Sequence, residues 1–225
     1  MSKPVPSASL VIFDCDGVLV DTERVANELL VRLLADLGMV ITYAECRRRF
    51  VGRSLSSVQE DVEAELGRKL APNWPDAVVR KETLHAFEAG IEAIAGVREQ
   101  LEWLAGLPHP FCVASSGQIQ KMHATLGSSG LLPFVKDVLF SADMVGKGKP
   151  APDLFLHAAA QMGHAPETCV VIEDSVPGVQ AGMAAGMKVL GYAGDPHTDA
   201  EGLKREGAHL FHDMRALPDL LSAGF

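Results

Sequence analysis

Short apolar runs that alternate with helical stretches, and that break off at polar side chains, constrain this chain more than any other feature. Residues 9–13 carry Val11 and Ile12 and stop at Asp14-Cys15-Asp16-Gly17, which reads as a buried strand entering a charged loop. Similar runs follow at 111–114, 137–140, 169–172 and 188–190. Between them the apolar period lengthens to that of a helix over 97–105, 118–126, 153–162 and 176–185. Pro152 opens the third of these helices, since proline suits a first helical turn, and Gly186 stops the fourth. Strand alternating with helix predicts an α/β fold, a mostly parallel, doubly wound sheet covered by helices on both faces.

One stretch breaks the alternation. Val25, Leu29, Leu33 and Leu37 recur every fourth residue beside Leu30 and Leu34, a helix ending at Gly38. Residues 42–50, 54–67 and 76–90 are also helix-like, and no convincing strand lies among them. The reading is a helical domain at 22–93 inserted into a core made of 1–21 and 94–225. Its two crossings, near 19–22 and 92–96, make a natural hinge pair for a lid. A chain of 225 residues is long enough for one full core and a smaller module.

Charge and cysteines narrow the class. The net charge of −9 gives no field for a polyanion, so neither nucleic acid nor a membrane is expected as a partner. The charge is uneven: 22–92 holds ten basic and twelve acidic groups, and the remainder carries most of the excess. Arg47, Arg48 and Arg49 read as a solvated helix face, although this segment could also meet the far end of an anionic ligand. Cys15, Cys46, Cys112 and Cys169 are far apart and read as reduced, mostly buried thiols. The apolar run after the first residues is too short for a signal peptide, and no run approaches a membrane span, so the expectation is a cytoplasmic protein, a monomer or weak dimer.

Chemistry-bearing residues stand just past predicted strand ends, Asp14 and Asp16, then Ser115-Ser116-Gly117, then Glu173-Asp174, with Lys149 in the loop before the 153–162 helix. In an open parallel sheet these ends share one edge, where ligands bind. Taken singly, each is an ordinary turn, cap or surface residue; their common placement is the signal. Carboxylates gathered this way repel unless a cation compensates, and hard oxygen donors without His or thiolate favour Mg²⁺. Lys149, the Ser115 hydroxyl and the N–H groups opening the next helix suit a phosphoryl group. Asp14 can then attack phosphorus, while Asp16 protonates the departing oxygen and later takes a proton from water.

Phe13-Asp14-Cys15-Asp16-Gly17-Val18-Leu19-Val20-Asp21-Thr22-Glu23 resembles the first motif of the haloacid dehalogenase-like hydrolases. Val113-Ala114-Ser115-Ser116-Gly117, Lys149-Pro150-Ala151-Pro152-Asp153 and Val171-Ile172-Glu173-Asp174-Ser175 are similar to the second, third and fourth. The likeness spans nearly the whole chain and is strongest to the branch holding β-phosphoglucomutase and sugar-phosphate phosphatases. It implies a Rossmann-like core with a helical cap, Asp14 as nucleophile and Asp16 as acid/base. It also implies Ser115, Ser116, Gly117 and Lys149 as phosphate binders, with magnesium held by Asp14, Asp174 and the Asp16 carbonyl. Glu173 would stand in or just outside that shell. Arg53, Ser54, Arg80 and Lys81 are the cap residues that would meet the leaving group.

Departures from the family's patterns sort the branch. Its dehalogenases lack an acid/base Asp at the place of Asp16 and use no magnesium. Its mutases carry a cap His where Ala26 stands and a cap Arg near Leu55, for which Arg53 could substitute. Its phosphonoacetaldehyde hydrolases need a cap lysine, and the first helix offers only Arg24 and Arg32 as basic residues. The expected activity is Mg²⁺-dependent hydrolysis of a small phosphorylated metabolite, a sugar or sugar-acid phosphate such as 6-phosphogluconate, through an aspartyl-phosphate. A phosphosugar mutase and a catalytically silent phosphate-binding module are the competing readings. His209 and His212 lie far along the chain from these motifs and read as structural or solvent-exposed, and Trp74 and Trp103 as packing residues.

Overall fold

The computed structural model describes residues 8–50 and 55–223, with Pro75 and Asp76 as backbone alone. The chain divides into two compact units, one made of Met1–Asp21 and Glu92–Phe225, the other of Thr22–Ile91. Strand β1 (Leu10–Phe13) is buried along its whole length, as an inner parallel strand must be. The loop beyond it folds back on itself, with the N–H groups of Leu19 and Val20 both donating to Cys15 O at 2.9 and 3.2 Å. Gly17 N–H donates to Val20 O at 2.9 Å from a φ of +79°, a conformation that suits glycine. The chain then leaves and returns at one stitched point. Asp21 N–H donates to Glu92 O at 3.0 Å, Ile94 N–H donates to Leu19 O at 2.9 Å, and Val20 bridges to Ala93.

In the unit between those crossings the regular elements among the described residues are all helical. It holds α1 (Thr22–Asp36), α2 (Tyr43–Phe50), α3 (Leu55–Leu66) and α4 (Lys81–Ala89). The segment expected as one helix over 76–90 begins instead with a π-helical turn, Pro75–Arg80, that runs into α4. Gly38, at a φ of +95°, follows the end of α1. Thr42 and Glu45 cap α2 reciprocally: Thr42 N–H donates to Glu45 Oε2 at 2.9 Å and Glu45 N–H to Thr42 Oγ1 at 3.2 Å. The apolar stripes meet in a cluster that includes Leu30, Leu34, Cys46, Phe50, Val62 and Trp74.

The chain resumes with α5 (Val97–Ala105), β2 (Phe111–Ser115), α6 (Ile119–Ser128), α7 (Leu132–Val135) and β3 (Leu139–Ser141). It continues through α8 (Asp153–Gln161), β4 (Cys169–Glu173), α9 (Val176–Ala184) and β5 (Lys188–Tyr192), and ends with α10 (Ala200–Arg205), β6 (His209–Phe211) and α11 (Leu217–Ala223). Among the described residues six strands form one parallel sheet in the order β3-β2-β1-β4-β5-β6, a Rossmann-like doubly wound arrangement. Ile12 lies opposite Cys112 on one side and Val171 on the other. Leu10, Ile12, Ala114 and Val171 pack with Leu154, Phe155 and Val179 of α8 and α9 on one face. Val11, Phe13, Phe111 and Val113 alternate onto the other face, where the Phe13 and Phe111 rings meet edge-on at 6.4 Å.

The strand order reverses between β1 and β4. Connections leaving these neighbours depart in opposite directions, which opens a crevice at their carboxyl ends. The strand expected at 137–140 stands at Leu139–Ser141, so Ser141 belongs to the sheet edge of the site. β6 was absent from the sequence reading because it is a three-residue edge strand whose first residue, His209, is exposed. His212 is the partner of Ala193 O, at 2.7 Å from its Nδ1. Among the described residues no helix is long and apolar enough to cross a membrane.

Candidate active site

Asp14 is the first residue beyond β1 and keeps the strand's register, its N–H donating to Ile172 O of β4 at 2.9 Å. The side chain is buried. Burial raises its carboxyl from 3.8 to about 7, Lys149 works the other way, and the charges of Glu173 and Asp16 add to the rise. Lys149, its ammonium equally buried, donates to Asp14 Oδ1 and to Glu173 Oε1, both at 2.5 Å, and to Ala114 O at 3.2 Å. All three ammonium protons are thus directed, and the Phe155 ring lies 4.9 Å below. Burial alone would pull the lysine down, but the two carboxylates and their hydrogen bonds hold it above its ordinary range.

Glu173 ends β4 completely buried. Its Oε1 is held by Lys149, and its Oε2 accepts from the N–H of Asp174 at 3.0 Å, the N–H of Ser175 at 2.9 Å and the Ser175 hydroxyl at 2.9 Å. Both oxygens are committed to protein groups, so this side chain buttresses the Asp174 loop. Gly178 makes room for it: a β-carbon there would lie 1.8 Å from Glu173 Oε1. Asp174, next along, is only partly buried and leans on the β1 loop, where a β-carbon at Gly17 would lie 2.0 Å from Asp174 Oδ2.

Ser115 closes β2 with its side chain buried, while Ser116 is exposed. Ser115 Oγ accepts from Gly117 N–H at 3.0 Å, which curls the turn before α6. Ser141, which sequence reasoning passed over, donates from Oγ to Gly117 O at 2.8 Å and ties that turn to β3. Lys121 was missed as well. It sits in the first turn of α6 and donates to Asp16 Oδ2 at 2.8 Å. The available signal was a cation in a helix's first turn, where the dipole disfavours it, just after Ser-Ser-Gly. Cys15 lies buried between the two aspartates, and burial, with their charges, pushes its thiol well above its ordinary value, so it offers no thiolate. All four cysteines are free and buried.

Of the cap residues named from sequence, Arg53 and Ser54 lie outside the described residues, and Arg80 and Lys81 occupy exposed positions of the helical unit. The fit of a metal rests on the sheet loops. Among the described residues no three His, Cys, Asp or Glu side chains form a ready-made metal cluster. Magnesium asks for less than that: one or two carboxylates with a carbonyl, the remaining positions going to phosphate and water. Asp14, Asp174 and the Asp16 carbonyl would meet that demand with oxygen alone, and a β-carbon at Gly17 would lie 2.0 Å from Asp174 Oδ2, which places the β4 loop beside the β1 loop.

A family model described as haloacid dehalogenase-like hydrolase matches residues 8–186. The 6-phosphogluconate phosphatase of Escherichia coli strain K12 is 34% identical over 213 residues, covering 95% of this chain and 94% of that protein. Hexitol phosphatase A of the same strain is 31% identical, covering 80% of each. Among solved structures, a haloacid dehalogenase family hydrolase from Deinococcus radiodurans R1 with bound phosphate and sodium superposes with a TM-score of 0.86 at 32% identity, over 98% of this chain and 97% of that one. The chain therefore belongs to the haloacid dehalogenase-like hydrolase family, and the company of named phosphatases makes it a phosphoric monoester hydrolase.

Proposed function

We propose that the protein is a magnesium-dependent phosphatase of small sugar or sugar-acid phosphates, with 6-phosphogluconate the first candidate substrate, acting through an aspartyl-phosphate on Asp14. The observation that carries this reading is the buried Asp14 carboxylate held by Lys149 at the mouth of the β1/β4 crevice, with Asp16 two residues on. The relatives that act on 6-phosphogluconate and hexitol phosphates support the substrate class, and the Deinococcus structure with bound phosphate supports the phosphoryl site.

The steps follow from the residues. The phosphoryl oxygens meet the Ser115 hydroxyl, the N–H groups of the Ser116-Gly117 turn and Lys149, whose positive charge offsets theirs. An Asp14 carboxylate oxygen bonds to phosphorus as the ester P–O bond breaks, and the departing oxygen takes its proton from Asp16. Water then attacks the phosphorus of the aspartyl-phosphate, Asp16 takes the water's proton, and inorganic phosphate leaves with Asp14 restored. Asp14, Asp174 and the Asp16 carbonyl would hold magnesium, which would supply charge neutralisation at the phosphoryl group. Glu173 keeps Lys149 and the Asp174 loop in place.

The test is phosphate release from a panel of phosphorylated sugars, sugar acids and polyols, with and without magnesium. Asp14→Asn is expected to abolish release while the far-ultraviolet circular dichroism stays native. Release from no substrate of the panel, or activity retained in Asp14→Asn, overturns the reading.

A further inference from the structure

We infer that Lys121 is a positioning residue for Asp16, clamping one carboxylate oxygen so that the other exchanges the proton with the ester oxygen. The inference rests on the reading of Asp16 as acid and base and deepens it. Asp16 sits in the loop beyond β1 with its side chain 29% exposed, so packing alone does not hold its carboxyl in one orientation. A proton donor contributes only when its oxygen stays within hydrogen-bond reach of the leaving group.

Two features place Lys121 as the clamp. Its Nζ lies 2.8 Å from Asp16 Oδ2, across a sequence separation of 105 residues that the β1–β2 pairing closes. Its side chain leaves the first turn of α6 and reaches back toward the helix N-terminus, the direction helical side chains take. A cation in this turn opposes the helix dipole, and the carboxylate it reaches, Asp16, offsets that cost. With Oδ2 accepting from Lys121, Oδ1 is the oxygen that carries the proton: it gives it to the alkoxide as the P–O bond breaks and regains it from the attacking water.

The test is kcat/KM with magnesium for phosphate monoesters running from p-nitrophenyl phosphate, whose leaving group needs no proton, to alkyl phosphates, whose leaving group does. Lys121→Met is expected to lose about tenfold or more on alkyl phosphates and less than about twofold on p-nitrophenyl phosphate. Competitive inhibition by inorganic phosphate should stay unchanged, and Lys121→Arg should recover most of the alkyl activity. An equal loss across the series overturns the inference, as does weakened phosphate inhibition, which would make Lys121 a phosphate ligand. Asp16→Asn run alongside separates the two levels. A steep Asp16→Asn series with a flat Lys121→Met series overturns the clamp alone, and a flat Asp16→Asn series overturns the acid/base reading beneath it.

Discussion

Lys149 answers two buried carboxylates at once, and this makes it the least replaceable residue of the site. Without its ammonium, Asp14 and Glu173 would face each other away from water with nothing to offset them. Lys149→Met is therefore expected to lose turnover and also about 3–5 kcal/mol of stability, the usual cost of leaving a buried charge unpaired, read from the urea midpoint. Lys149→Arg keeps the charge, but its planar fork does not suit an Asp oxygen, a Glu oxygen and a backbone carbonyl arranged around a point. A variant as stable as the parent would show that Asp14 and Glu173 find other partners. Asp14, Ser115 and Asp174 could be read from sequence because each stands where a strand stops, and Lys149 because it stands in the loop before the helix that Pro152 opens. Glu173 could be placed but not understood, since its commitment to Lys149 and the Ser175 turn depends on the register of β4. Lys121 and Ser141 could not be assigned, because their partners lie across the fold, and the one hint, a cation in a helix's first turn, does not name Asp16 as its partner.

At the level of elements, ladders and caps outweigh apolar pattern at the sheet's margins. β1, β2, β4 and β5 announce themselves because inner parallel strands are apolar on both faces. β6 and the short helices α7 and α10 do not, because each covers an edge with a few residues and borrows its stability from the neighbour. Within the helical unit Glu63 organises the end of α3. It accepts from Lys69 at 2.6 Å, Gln59 at 2.8 Å and the Leu70 N–H at 3.1 Å, and these bonds hold its carboxyl down at about 2, against an ordinary 4.5. A carboxyl with a lowered folded-state value stabilises above its unfolded value and loses that contribution as the pH falls toward its folded one. Glu63→Gln is therefore expected to be less stable than the parent at neutral pH, with the gap in urea midpoints closing between about pH 4.5 and 2. A gap that stays constant over that range would assign the loss to packing.

For the molecule as a whole, each unit holds an apolar cluster of its own, one around Leu34 and Trp74 and one around Ile12 and Phe155. Leu34→Ala should accordingly cost about 2–5 kcal/mol locally and raise amide hydrogen exchange through α1 to α4, while the protection of β1, β2 and β4 stays as it was. Loss of protection in those strands would mean that the interiors unfold as one.

The stitched root at Asp21 and Glu92 has an evolutionary corollary. Because the chain departs and re-enters through a hydrogen-bonded pair, the sheet senses the whole excursion as little more than a turn. Whatever sequence lies beyond that knot, its two ends stay pinned side by side, so a lineage can vary the excursion while the sheet keeps one point of departure and return.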